Sequence, residues 1–139
     1  MTQEYHQVHP QDVQNNLDLF AFLIDKAITK TNHTEYSVRG CCEKVINNEW
    51  QLFVILKEEE LESIIVTSVV PHELCCDLIP ILITGLDDKK VDLNFMQKCL
   101  EEIAVNFKCN RIVGGGRKGW KKVLSKFGYK DLNLVVKEL

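Results

Sequence analysis

Apolar positions along this 139-residue chain switch repeatedly between alternation and helical spacing, and the switches lay out a fold. Tyr5-His6-Gln7-Val8-His9 alternates and stops at Pro10, predicting a short first strand. Pro10 suits a first helical turn, where the missing N–H has no partner to lose. Val13, Leu17, Phe20, Ile24 and Ile28 then recur at three- and four-residue steps, predicting one amphipathic helix to about Lys30. Thr31-Asn32-His33-Thr34 is a polar break. Ser37 is the expected N-cap of a second helix through Cys41, Val45 and Ile46, ending near Asn47-Asn48.

Strands dominate the middle. Residues 50–56, WQLFVIL, are apolar and rich in strand formers, residues 57–60 make a charged turn, and residues 63–70, SIIVTSVV, return. Two such runs on a short link predict a hairpin. Residues 78–84 predict another buried strand, where Pro80 requires an edge position or a bulge because it cannot donate to a ladder. Asp92 is placed to cap a long helix carrying Leu93, Met96, Leu100, Ile103, Ala104 and Phe107 on one face. A short strand at 111–113, a helix at 119–127 and a final strand at 132–136 complete the order β-α-α-β-β-β-α-β-α-β. Successive strands on short links must be antiparallel, and the strand-helix-strand crossover near the end must be parallel. The prediction is therefore one α/β (α+β) domain over residues 1–139, with a mixed central sheet flanked by helices.

Composition changes this picture in three ways. With 45% hydrophobic and 27% charged residues the chain reads as an ordinary globular protein. No apolar run approaches the roughly 20 residues of a membrane span, and MTQEYHQVHP lacks the features of a signal peptide, so the expected location is cytoplasmic. The six cysteines include two adjacent pairs, Cys41-Cys42 and Cys75-Cys76, and no C-x-x-C, while His6, His9, His33 and His72 show no zinc-ligand spacing. They are expected to be structural thiols, with no metal. Charge is uneven: residues 108–139 carry +7 and residues 1–107 carry −10, which marks the basic end as a candidate surface for an anionic partner.

The element order resembles the GNAT acetyltransferase superfamily along nearly the whole chain. More narrowly, it resembles the small GNAT-like proteins of tailed bacteriophages, including internal virion proteins of podoviruses. The local pattern that carries the resemblance is Asn48-Glu49-Trp50-Gln51-Leu52-Phe53-Val54 entering the hairpin, with Gly116-Arg117-Lys118-Gly119-Trp120 and Gly128-Tyr129 near the end.

The resemblance implies an acetyl-coenzyme A site, opened by (Arg/Gln)-x-x-Gly-x-(Gly/Ala) after the fourth strand, where backbone amides and a helix start grip the pyrophosphate. The matching segment here is Thr84-Gly85-Leu86-Asp87-Asp88-Lys89-Lys90-Val91-Asp92, with one glycine and three carboxylates. Lys89 and Lys90 offset part of that repulsion. If the cofactor binds at all, Thr84 and Gly85 are its expected contacts. The family's general-acid Tyr, four residues before the Gly-aromatic pair, is replaced by Leu124, which transfers no proton. Tyr129 reads as a packing aromatic, and Glu73 or His72 is the candidate base near the hairpin's end.

Gly114-Gly115-Gly116-Arg117-Lys118-Gly119 lacks the order of a P-loop or of a dinucleotide fingerprint, and reads as a sharp turn from strand to helix. Trp120 is expected to pack with Leu124 and Phe127. Arg117, Lys118, Lys121 and Lys122 form the candidate anion or partner surface; no aromatic-studded sheet or recognition helix accompanies them, which argues against nucleic acid. The leading expectation is then a catalytically degenerate GNAT-fold protein with no catalytic residue and no cofactor. By resemblance it would act through its surfaces with other virion or morphogenesis proteins, in the host cytoplasm or the virion. The alternatives are an active acetyl-coenzyme A-dependent N-acetyltransferase with a divergent cofactor loop, or an adaptor or inhibitor of a host protein. Homo-oligomerisation stays open.

Overall fold

The computed structural model describes residues 2–31, 35–85, 92–114, 120–131, 137 and 139. Its elements are β1 (Gln3–Gln7), α1 (Pro10–Asn15), α2 (Leu17–Thr31), α3 (Val38–Ile46), β2 (Trp50–Lys57), β3 (Glu60–Pro71), β4 (Cys76–Gly85), α4 (Leu93–Asn106), β5 (Arg111–Ile112) and α5 (Trp120–Ser125). This is the predicted order as far as it is described; the expected strand at 132–136 lies outside the described residues.

The one division not expected falls at Asn16, which splits the first helix. Its side chain donates to Asp12 O at 2.9 Å, and its backbone N–H is shared between Asp12 O and Val13 O. Asparagine offers the backbone this local alternative, which is why it ends helices more readily than it continues them. Three helix starts follow capping chemistry. His9 Nδ1 accepts from Gln11 N ahead of Pro10, Ser37 Oγ accepts from Gly40 N, and Asp92 Oδ1 accepts from Phe95 N.

The five strands form one sheet in the order β1-β2-β3-β4-β5. The first three pairings are antiparallel, and β4 pairs with β5 in parallel. Helices α2 and α3 cover one face around Leu23, Ile24, Leu52, Ile64 and Val66. Helix α4 covers the other around Phe53, Ile65, Leu78, Leu100 and Ile103. Both faces are buried, so the inner strands read as continuous apolar runs.

Pro80 sits at an irregularity, as its chemistry requires. Val66 pairs with Leu82 and Thr67 with Pro80, leaving Ile81 as the extra residue of a β-bulge. The bulge reverses the phase of β4. Before it, Leu78 packs on the α4 side; after it, Leu82 packs on the α2–α3 side and Ile83 on the α4 side. The proline also bears on the β5 edge. Val113 N–H donates to Leu78 O at 2.9 Å, and the next parallel rung would need an N–H from position 80, which proline lacks.

All six cysteines are free thiols. Burial pushes the Cys41 thiol up to about 11 and the Cys99 thiol up to about 12. Such thiols stay protonated and pack as small apolar groups, in keeping with a structural role.

Candidate active site

The sheet opens where β4 outruns β5. Pairing between the two is recorded at Asp77–Arg111 and Leu78–Ile112, whereas β4 continues to Gly85. Among the described residues, no strand pairs with the β5-facing edge of residues 79–85. A strand edge of this kind presents unpaired N–H and C=O groups.

The far end of that edge meets the start of α4. Gly85, Asp92, Phe95 and Met96 line one small pocket together with Gln3, Ile55, Glu62 and Ser63. Thr84 and Gly85 are both buried, and the Gly85 carbonyl accepts from Thr84 Oγ1 at 3.1 Å and from Lys30 Nζ at 3.2 Å. Lys30 thus reaches the end of β4 from the end of α2. Asp92 brings a carboxylate there, held on the Phe95 amide at 3.1 Å. Glu62, nearly buried in the bulge between β2 and β3, accepts from Gln3 Nε2 at 3.3 Å.

The other sequence-selected residues scatter. His72 and Glu73 lie in the turn between β3 and β4, roughly 30 Å along the strand from Gly85. The structure does not bring them together with Thr84. Leu124 is half-buried. Tyr129 packs back on α4, its hydroxyl donating to Gln97 Oε1 at 2.8 Å, and burial raises its pKa. Lys122 is exposed on α5, which Lys121 shares, while Arg117 and Lys118 lie outside the described residues.

Sequence reasoning missed Lys30, Glu62 and a charged cluster where β4 pairs with β5. In that cluster the buried Asp77 carboxylate accepts from Arg111 Nε at 2.6 Å and Nη2 at 2.9 Å, and lies 3.0 Å from His72 Nε2. These partners are 34 and 5 positions away in sequence, so no local spacing announces the cluster. The Arg111 hydrogen bonds hold the Asp77 carboxyl down at about 2, from its ordinary 3.8, against the opposing effect of burial. A depressed carboxyl contributes stability above its unfolded pKa and loses it as pH falls through the folded one. Urea midpoints should therefore fall as pH drops from about 4 to about 2, and Arg111→Leu should flatten that part of the profile.

No protein-family profile and no curated protein sequence matches the chain. Solved structures match it closely in three dimensions. A predicted acetyltransferase with acetyl-CoA from Clostridium acetobutylicum superposes with TM-score 0.72 at 11% identity, over 99% of this chain and 96% of that one. The fold is that of the GNAT acetyltransferases. A ribosomal-protein-alanine N-acetyltransferase from Brucella melitensis gives TM-score 0.72 at 10% identity over the whole of both chains. An aminoglycoside N-acetyltransferase in complex with CoA gives 0.69 at 10% identity, over 99% of this chain and 94% of that one.

These GNAT neighbours correct two expectations. The chain was expected to be a degenerate, surface-acting virion or morphogenesis protein without a cofactor. The structures it matches from end to end are instead acetyltransferases, two of them holding acetyl-CoA or CoA. The glycine-poor loop is one short stretch of sequence, whereas the open β4 edge is built by strand register and cannot be read from residues 84–92. Among the described residues, no helix is long and apolar enough to cross a membrane.

Proposed function

We propose that this chain is an acyl-CoA-dependent N-acyltransferase. The observation that carries the reading is the distal half of β4, residues 79–85, which runs past its last rung to β5 and ends beside the start of α4. An acyl-CoA thioester, when bound, supplies an acyl group already activated for attack by an amine. Its pantetheine arm carries peptide-like amides, and an open strand edge takes such groups as it would an added strand. The residues present fit that arm. Residues 79–85 would hold it, over an apolar layer of Leu78, Ile83, Met96 and Leu100 that keeps water from below.

The phosphate end fits at a cost. Asp92 already takes the Phe95 amide, so an anion at this helix start would sit beside a carboxylate. Leu124 offers no proton at the position where the family carries its acid. Acceleration by this chain then rests on holding amine and thioester in line. The −10 charge of residues 1–107 favours a cationic amine or peptide N-terminus as acceptor.

The test is thermal unfolding with and without millimolar acetyl-CoA, followed by thiol release with a panel of amines. A ligand at about 100 times its Kd stabilises by roughly 2.7 kcal/mol, which for a chain of this size raises Tm by several degrees. An unchanged Tm together with no amine-dependent thiol release would overturn the reading.

A further inference from the structure

The turn between β3 and β4 places three different donor atoms on one face. His72 N–H donates to Cys75 O at 2.7 Å across the two-residue tip of Glu73 and Leu74, so His72 and Cys75 stand opposite each other at the base of a tight hairpin. Asp77, two residues beyond Cys75, projects to the same side of the strand. The ligating atoms of His72, Cys75 and Asp77 all lie within 4.8 Å of one another. Backbone register, not side-chain reach, brings them together.

We propose that His72, Cys75 and Asp77 bind one zinc-like divalent cation, with solvent as the fourth ligand. The donor set decides the class. A thiolate with an imidazole and one carboxylate suits zinc or cobalt, whereas magnesium and calcium demand oxygen ligands. The geometry needs only small adjustment. Tetrahedral zinc, with bonds of about 2.0–2.3 Å, sets its ligand atoms roughly 3.3–3.6 Å apart. His72 Nε2 and Asp77 Oδ2 stand at 3.0 Å, and the His72 side chain, 47% exposed, is free to swing outward by that margin. Arg111 serves as an orienting partner: its two hydrogen bonds fix the Asp77 carboxylate while Oδ2 faces His72. The neighbouring thiols Cys76 and Cys109, with sulfurs 3.3 Å apart, belong to the α4-side core. They provide an internal control.

The test is a cobalt titration of the full chain under reducing conditions. A one-to-one complex should appear, with the visible bands of tetrahedral cobalt and a thiolate-to-cobalt charge-transfer band, both removed by added zinc. Cys75→Ala should abolish the charge-transfer band and His72→Ala the tetrahedral bands, while Cys76→Ser keeps both. Zinc, but not magnesium, should raise Tm in the parent chain and leave Cys75→Ala unmoved. Both alanine variants alter exposed or half-exposed turn residues, and their zinc-free melting curves verify that they fold. Absence of the cobalt spectrum, or a spectrum that survives Cys75→Ala, overturns the site.

Discussion

Leu78→Ala should cost this protein about 2–5 kcal/mol of stability and lower Tm by roughly 6–15 °C. Leu78 is fully buried, packs in the α4-side core and pairs with both Val69 and Ile112. Its carbonyl also accepts the Val113 N–H at the point where β4 and β5 part. Truncation removes apolar contacts and leaves a cavity that strands anchored on both sides cannot close, so the transfer and cavity penalties add. Urea unfolding at neutral pH measures the effect, with Ile79→Ala, at a half-buried position, as the milder comparison. A loss below about 1 kcal/mol for Leu78→Ala would mean that this junction is not tightly packed.

Asp92→Asn should tighten acetyl-CoA binding about tenfold while leaving Tm nearly unchanged. Asn and Asp cap helices almost equally, so the bond now made to Phe95 N survives the change. What disappears is one negative charge at the helix start. A unit charge about 5–6 Å from a phosphate, in a partly solvated setting, is worth roughly 1–2 kcal/mol, which is about a factor of ten in Kd. Asp92→Ala removes charge and cap together, and should lose about 1 kcal/mol of stability while also binding more tightly. The gain should shrink as salt rises, because the contact is partly exposed. An unchanged Kd in Asp92→Asn would put the pyrophosphate elsewhere and remove the helix start from the cofactor site.

Both predictions turn on features of unequal visibility in the sequence. Asp92 as a cap was legible, because an acidic residue immediately before an apolar helical repeat has few other roles. The charge it adds at the helix start was legible too, but the open strand edge beside it was not, since that edge is built from residues remote in sequence. Pro80 announced a bulge or an edge. That Ile81 is the extra residue, and that it reverses the phase of β4, depends on the partner register with Val66 and Thr67.

Periodicity and capping chemistry alone determined the described helices, the hairpin and the order of the strands, because helical and extended segments bury one face at different spacings and their ends need particular side chains. Asn16 escaped that reading, since the apolar spacing runs on through it. Tertiary structure alone decided where β4 leaves β5, that Lys30 reaches the Gly85 carbonyl from 55 positions away, and that Asp77 meets Arg111 and His72. These depend on register between distant strands and on helix placement across the sheet. Both are set by the summed packing of two cores, and no short stretch of sequence contains that sum.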